Sequence, residues 1–236
     1  MPDFAQTTIN ARRFAYQNIS LQKGKNAWWH TVRVANNARY IASEEGADLF
    51  VVELASLLHD ISGKQNHETH SSNIAQAWMM QNGVEQETSE HVQSIIENIA
   101  FLGAGVPTPM RTLEGGCVQD ADRLDDLGAI GIARAFADLS QQGREIFHPQ
   151  VSPTLHETPQ DFQKHQGTII NHFYEKLLLL KDRINTTTAR RLAKERHDFT
   201  EEFLRKFFTE WKGEDYHTTV SRQWPQESEL GIEEKK

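Results

Sequence analysis

The stretch LFVVELASLLHDI, residues 49–61, decides the fold of this 236-residue chain. Its apolar side chains fall on nearly every side of the helix that is predicted over about 48–60, and such a helix belongs at the centre of a bundle. A turn at 45–47 precedes it, and Asp48 can cap its first turn. The stretch ends in a His-Asp pair, His59-Asp60, which is an unexpected ending for a buried apolar segment.

Further helices are predicted on both sides of this stretch, and we find no convincing pair of strands. Apolar residues three and four apart predict helices over 26–45 and about 85–100. Between them, the polar stretch SGKQNHETH leads into an amphipathic helix that ends near Gly83. Another helix carries Asp122, and Gly128 separates it from the next one. Glycine and proline predict loops at two places, 102–110 and 149–159.

The last third of the chain predicts two long helices within about 160–212. The first has an apolar stripe from Ile169 to Ile184, and the second has aromatic residues at steps of four, which we interpret as core packing. These aromatic residues are Phe199, Phe203, Phe207 and Trp211. From 214 to 236 the chain is polar and acidic, with an isolated Trp224, which predicts a loosely held tail. We therefore predict an all-α fold with a single helical domain over 1–213.

The composition agrees with a soluble enzyme and excludes several alternatives. The formal net charge of −8 argues against polymeric nucleic acid as the main partner, because nucleic-acid-binding proteins usually present basic patches. The single cysteine, Cys117, cannot form an internal disulfide, which favours a reducing compartment. No apolar run is long enough for a signal peptide or a membrane span, so we expect a cytoplasmic protein.

Four polar residues interrupt the apolar helical patterns: His30, His59, Asp60 and Asp122. Burying an isolated carboxylate is so unfavourable that it implies a metal or a partner charge. Two imidazoles and two carboxylates suit Mn²⁺, Fe²⁺, Co²⁺ or Zn²⁺, and hold Mg²⁺ less comfortably. Neighbouring residues on a helix point about 100° apart. His59 and Asp60 therefore reach one ion only if the helix ends there, and 61–63 is a plausible break.

Candidates for handling phosphate surround these four residues. Arg33 is one helical turn from His30 and shares its face, and Lys64 follows the His-Asp pair. Asp125 is one turn from Asp122 and can orient a ligand or a water molecule. An exposed or salt-bridged side chain would explain Arg33 and Lys64 equally well, and would explain Asp125 somewhat better than a functional role does. For His67, Glu68 and His70 a solvated helix face is the favoured interpretation.

These residues and their surroundings resemble the HD phosphohydrolase superfamily, whose pattern is His…His-Asp…Asp. Five motifs are similar to those of small bacterial HD hydrolases and occur in the same order over about 11–213: WWHTVRV, LLHDISGK, QDADRLDDLGAIGIARAF, HFYEKLLLLKD and ERHDFTEEFLRKFFTEW. The resemblance implies one divalent metal ion held by His30, His59, Asp60 and Asp122. Mn²⁺ or Mg²⁺ is expected first, with Fe²⁺, Co²⁺, Ni²⁺ or Zn²⁺ as further possibilities.

The resemblance also implies a reaction. A nucleoside or deoxynucleoside triphosphate would be cleaved to the monophosphate and pyrophosphate by a metal-activated water. Asp60 would position or deprotonate that water, while Arg33 and Lys64 would neutralise the phosphates. Asp125 and Lys176 complete the expected substrate site, and Lys176 is carried mainly by the resemblance.

Two alternatives remain open at this point. HD phosphodiesterases and oxygenases with two metals place two further histidines between the His-Asp pair and the last aspartate. This chain offers His67, His70 and His91 there, but Asn98 begins the stretch in which some relatives have a histidine, so a single metal is favoured. The other alternative is a nucleotide-binding sensor without turnover.

Three remaining signals are set aside. A second His-Asp pair, His197-Asp198, shows how weak the dipeptide alone is as evidence. The segment GAIGIAR, 128–134, is not a dinucleotide-binding loop, and its small residues are interpreted as a close approach of two helices. Cys117 lacks the surroundings of a nucleophile and is expected to be a small buried residue.

Overall fold

A computed structural model describes residues 3–22, 25–62 and 67–214. These residues form ten α helices and two single-turn 3₁₀ helices, without a strand among them, which confirms the all-α prediction. The helices are α1 (Phe4–Gln22), α2 (Lys25–Glu45), α3 (Leu49–Leu58), α4 (His67–Gln81), α5 (Gln86–Asn98), α6 (Leu113–Asp125), α7 (Gly128–Gln141), α8 (Pro159–Lys164), α9 (Ile169–Glu175) and α10 (Thr187–Lys212).

Helix α3 is the central helix, as its apolar sequence predicts. It packs against α1, α2, α5 and α6, and seven of its ten residues are buried. Its start is fixed by Asp48, whose side chain accepts hydrogen bonds from the backbone N–H groups of Phe50 at 2.8 Å and Val51 at 3.3 Å. The helix ends at Leu58, and His59 and Asp60 lie in the turn that follows.

Helices α2 and α6 form an extensive pairing and bring distant parts of the sequence together. Helix α6 is also fixed at Asp120, which is fully buried and accepts hydrogen bonds from the backbone N–H groups of Asn185, at 2.8 Å, and Thr186, at 2.7 Å. The side chains of the same two residues donate to Asp120 as well. This anchor holds the start of α10 against the helix that carries Asp122.

Glycine permits close packing at the start of α7, against α10 and against the turn that follows α6. Gly128 begins α7 with a φ of 69°, and its backbone N–H donates to Thr200 Oγ1 at 3.0 Å. A Cβ atom on Gly131 would lie 2.2 Å from the backbone carbonyl of Asp126. A side chain at 131 therefore cannot fit unless the turn that carries Asp126 moves.

The prediction of a long helix over about 169–184 is wrong. Helix α9 ends at Glu175 and is followed by 3₁₀ helices at Leu177–Leu179 and Lys181–Arg183. Lys176 leaves the helical conformation, with φ −139° and ψ −65°, and its ammonium group bonds Asp126. The guanidinium of Arg183 donates to three loop carbonyls, those of Gly103, Ala104 and Val106. These tertiary contacts outweigh the helical apolar pattern.

The chain divides between Glu201 and Glu202 into two units, and 202–214 is the described part of the second. The prediction that the whole aromatic stripe of α10 packs in the core is wrong, because Phe199 is 51% exposed and Trp211 is 52% exposed. Steps of four residues turn about 40° each around a helix, so three such steps rotate the ends of the stripe by about 120°. The boundary at 213 stays a prediction, and Trp224 with most of the acidic tail lies outside the described residues.

None of the helices described has the length and apolar character required to cross a bilayer.

Candidate metal centre

Three of the four residues expected to bind metal meet in one group. His30 comes from α2, His59 from the turn after α3 and Asp122 from α6, and one potential ligand atom of each lies within 4.8 Å of the others. His30 Nε2 is 3.3 Å from Asp122 Oδ1, and His59 Nε2 is 4.0 Å from the same oxygen. Both imidazoles are buried, whereas the Asp122 side chain is 25% exposed.

His59 presents a free lone pair to this group. Its Nδ1 lies 2.7 Å from the Ser56 carbonyl oxygen, which can only accept, so Nδ1 carries a proton and, in the neutral ring, Nε2 does not. Nε2 is buried and has no hydrogen-bond partner. Burial lowers the pKa of His59, although the charges of Asp60 and Asp122 oppose this effect. The imidazole is therefore held neutral, which is the form that binds metal.

His30 is oriented by Asp125, which lies one turn beyond Asp122 on α6. His30 Nδ1 is 2.7 Å from Asp125 Oδ2, which directs Nε2 towards Asp122. Burial alone would lower the pKa of His30, but hydrogen bonds to Asp122 and Asp125 outweigh it and raise the pKa to about 9. Burial likewise works to raise the pKa of Asp122, but the hydrogen bond and charge of His30 and the charge of His59 hold it below its usual value.

Cations surround the buried carboxylate of Asp125. Arg33 donates through Nε to Oδ1 at 2.7 Å and through Nη2 to Oδ2 at 2.9 Å, and Arg134 Nη1 donates to Oδ2 at 2.8 Å. Burial would raise the pKa of Asp125, but hydrogen bonds to His30 and Arg33 and nearby positive charges lower it to about 2. Asp125 is 1% exposed, so these contacts support the expected orienting role more than direct contact with substrate.

Asp126 forms a second acidic partner for the same cations. Arg134 Nη1 donates to its Oδ1 at 2.9 Å, and Lys176 Nζ donates to its Oδ2 at 2.6 Å. Burial opposes ionisation here, but the charges of Lys176 and Arg134 keep the pKa of Asp126 below its ordinary value. Lys176, which the family resemblance singles out, thus bonds the residue next to Asp125, in the network behind His30.

Asp60 lies outside the group of three, on the wall of an adjoining cavity of about 770 Å³. His30, Arg33 and Arg134 line the same cavity, so imidazole, carboxylate and guanidinium groups face one space. Trp29, which is 55% exposed, adds an aromatic ring to the wall.

The remaining candidates are distributed as follows. Lys64 and the side chains of His67 and Glu68 lie outside the described residues. His70 is exposed, and His91 lines a different cavity of about 410 Å³, where its Nε2 is 2.9 Å from Thr112 Oγ1. Neither histidine belongs to the group around His30.

His197 and Cys117 match the minor roles expected of them. His197 is buried, and its Nε2 is 3.2 Å from Glu201, away from the group around His30. Its neighbour Asp198 is exposed and pairs with Lys194. Cys117 is fully buried, and burial raises the pKa of its thiol to about 12, which disfavours the nucleophilic thiolate.

Sequence reasoning missed Arg134 and Asp126. An arginine in the otherwise apolar and small-residue helix GAIGIARAF was a usable signal, because burying a guanidinium requires an acidic partner. Its partners could not be read from spacing, since they lie beyond the turn between α6 and α7.

Comparison with known proteins agrees with this geometry. The family model for the HD domain matches residues 28–127, which contain the whole group of three. The chain is 37% identical to YpgQ of Bacillus subtilis over 196 residues, which span 81% of this chain and 87% of that protein.

Solved structures give the same result. A crystal structure of an HD-superfamily hydrolase from Bacillus thuringiensis is 34% identical, with a TM-score of 0.70 over 89% of this chain and 98% of that one. The crystal structure of Bacillus subtilis YpgQ in complex with ADP is 31% identical, with a TM-score of 0.69 over 88% of this chain and 96% of that one. The arrangement of His30, His59 and Asp122, the shared fold and these identities together show that the chain belongs to the HD superfamily of metal-dependent hydrolases, among its small bacterial YpgQ-like members.

Proposed function

We propose that this protein hydrolyses a nucleoside or deoxynucleoside triphosphate to the monophosphate and pyrophosphate, using one divalent metal ion. The observation that carries the proposal is the neutral, unpartnered Nε2 of His59, which faces Asp122 and His30 beside a cavity lined by two arginines. A buried nitrogen without a hydrogen-bond partner is costly unless a cation occupies the space that it faces.

The donor set fits a first-row divalent ion such as Mn²⁺. His30, His59 and Asp122 would hold it, with Asp60 as the fourth ligand from the cavity wall. When bound, the ion supplies Lewis acidity towards a phosphoryl oxygen and a lowered pKa for an attacking water. Asp125 keeps His30 in the required orientation through its hydrogen bond to Nδ1.

The cavity supports a nucleotide as the substrate class. Its volume of about 770 Å³ lies within the range of small-ligand sites, about 300–1,000 Å³. Arg33 and Arg134 supply positive charge for phosphates, although the protein as a whole is acidic. The exposed ring of Trp29 offers a surface on which a base can stack. The ADP complex of YpgQ supports nucleotide binding by analogy.

Four residues near the ion are assigned roles in the reaction. Asp60 would orient the attacking water and accept its proton. Arg33 and Lys64 would neutralise charge on the phosphates, and Lys176 would reach the substrate from beside Asp126. Arg33 is held in place by its two hydrogen bonds to Asp125, so its guanidinium is preorganised on the wall of the cavity.

A product assay tests this function. Metal-stripped protein is reloaded with Mn²⁺ or Mg²⁺ and given nucleoside mono-, di- and triphosphates, and phosphate and pyrophosphate are detected separately. We expect metal-dependent pyrophosphate release from triphosphates. Release of phosphate would overturn the proposed bond, and tight binding without any product would identify a nucleotide sensor. Turnover that requires two metal ions within the HD site would indicate a two-metal phosphodiesterase or oxygenase.

A further inference from the structure

A second group of potential metal ligands lies apart from the HD site. His156, His165 and Glu175 each place one ligand atom within 4.8 Å of the others. His156 comes from the irregular segment before α8, His165 follows α8, and Glu175 is the last residue of α9. We infer that these three residues form a binding site for a transition-metal dication, with Zn²⁺ as the best match.

The inference rests on His156, because one of its ring nitrogens has no hydrogen-bond partner. It is 7% exposed, and its Nε2 is buried without a hydrogen-bond partner. The two other members already contact each other, with His165 Nε2 3.0 Å from Glu175 Oε1. A simple ion pair between His165 and Glu175 therefore explains two residues of the group and leaves the nitrogen of the third unsatisfied. A shared cation satisfies all three.

The spacing of these atoms suits a tetrahedral ion. In tetrahedral geometry, ligands at about 2.0–2.2 Å from zinc lie about 3.3–3.6 Å from each other. His165 Nε2 and Glu175 Oε1 are 3.0 Å apart, so a small separation of the two would let both bind one ion. The centroids of the two imidazole rings are 4.4 Å apart, so both rings border one small space. Gly167 leaves that space open, since a Cβ atom there would lie 2.4 Å from His165 Nε2 and 3.2 Å from Glu175 Oε1.

The site would fasten the long irregular connection between α7 and α9. Helix α8, with six residues, is the one regular element that the structure has between 142 and 168. The connection is otherwise attached to α9 by scattered hydrogen bonds. Among them, Thr154 N donates to Glu175 Oε1 at 2.9 Å, and Asn171 Nδ2 donates to the Val151 carbonyl at 2.9 Å. Long connections of this kind are uncommon without a function or a further constraint. Two imidazoles from the connection and one carboxylate from α9 provide such a constraint.

Zinc stoichiometry tests the inference separately from the HD site. Full-length protein is stripped with a chelator, dialysed against Zn²⁺ and analysed for zinc per chain. We expect the count to fall by one when His165→Gln is introduced, both in the wild-type chain and in an Asp122→Ala chain whose HD site is disabled. His165 is chosen because its side chain is 23% exposed, so that its replacement is tolerated better than that of His156.

Two further variants complete the experiment. His70→Gln removes an exposed histidine outside both groups and is expected to leave the count unchanged, which controls for adventitious binding. Should His165→Gln not fold, Glu175→Gln serves instead, since its amide oxygen still accepts from Thr154 N. An equal zinc count with and without the substitution at the second group would overturn the inference. The same count would leave the proposed hydrolysis untouched, because that is measured by product release.

Discussion

At the scale of single residues, the contact between Asp125 and His30 determines how well the HD site can bind metal. Asp125→Asn keeps the shape of the side chain but loses the charge that His30, Arg33 and Arg134 share. We expect the affinity for Mn²⁺ to fall about 10- to 100-fold, as is typical when an orienting partner of a histidine ligand is lost. Titration calorimetry on stripped protein measures this change.

Asp198→Asn is the matched control for that experiment. Asp198 is exposed and pairs only locally with Lys194, so its replacement should leave Mn²⁺ affinity unchanged. Equal losses in both variants would show that net charge, and not the orientation of His30, sets the affinity.

A second comparison distinguishes the two His-Asp pairs of the sequence. Asp122→Ala removes the carboxylate that faces both imidazoles, so we expect the ion of the HD site and all turnover to be lost. His197→Ala removes a buried histidine whose contact is with Glu201, and both properties should stay largely intact. Metal content and product formation measured on the two proteins decide between the pairs, and equal losses would mean that the wrong pair was assigned.

Burial of an acidic residue does not by itself identify the metal ligands, since the Asp122 side chain is 25% exposed. Asp120 is more deeply buried than Asp122, yet its oxygens accept four hydrogen bonds from Asn185 and Thr186. Asp122 instead faces two imidazoles. The donors to Asp120 are more than sixty residues away from it in sequence. Composition and spacing therefore cannot predict which carboxylate already has its hydrogen-bond partners.

At the scale of helices, the turn between α6 and α7 is the most tightly fitted connection near the site. Gly131→Ala would place a methyl group 2.2 Å from the backbone of Asp126, and the turn would have to move. We expect a loss of about 1–3 kcal/mol in the free energy of unfolding, the usual cost of overpacking. Urea denaturation followed by circular dichroism measures it.

Ala129→Ser provides the comparison, because it adds one atom to an exposed position of the same helix. Its free energy of unfolding should stay within about 0.5 kcal/mol of wild type. A similar loss in both variants would show that α7 tolerates no added atoms anywhere, and would remove the special role of Gly131.

Helix prediction succeeded where the sequence itself carries the signal. Asp48 and the apolar run after it predict α3, and the contacts of Asp48 with the first backbone amides confirm the start. It failed at 176–184, where an apolar helical pattern continues through a segment that does not form one helix. Lys176 and Arg183 there bond groups from elsewhere in the chain, and such partners leave no periodic trace in the local sequence.

At the scale of the whole molecule, one partly buried histidine, His172, makes stability depend on pH. Burial, together with the charge of Lys176, lowers the pKa of His172 to about 3. Below its unfolded pKa of about 6.5, the unfolded chain takes up a proton at this residue while the folded protein does not, so stability falls as the pH falls. The effect begins near pH 6.5 and levels off near pH 3.

His172→Gln should therefore lose less stability than wild type on acidification. Between pH 7.5 and 5.5, we expect the free energy of unfolding of the variant to fall by about 1 kcal/mol less than that of wild type. The reason is that pH 5.5 lies one unit below the pKa of His172 in the unfolded chain. Urea unfolding of both proteins at the two pH values measures it. Subtraction removes the contributions of the other histidines, and identical pH profiles would contradict the prediction.

The HD site shows how much of a site built from distant segments can be predicted from the sequence. The positions of His30, His59 and Asp122 followed from polar residues in apolar patterns together with a family resemblance, and the structure brings the three together. Arg134 and Asp126 did not follow, because their contact depends on how tightly α6 and α7 meet. Helical periodicity can be seen within one segment, whereas the fit between two packed segments depends on both of them and cannot be seen in either alone.

The C-terminal end of α9 joins the two groups of potential ligands through one peptide unit. Glu175 Oε1 lies 3.0 Å from His165 Nε2, and the next residue, Lys176, bonds Asp126 in the network behind His30. A displacement of the backbone at either residue would therefore be passed to the other through the peptide unit that they share. Thermodynamic linkage then requires reciprocity: if occupation of the HD site changes the affinity of the second group by some factor, occupation of the second group changes the affinity of the HD site by that same factor.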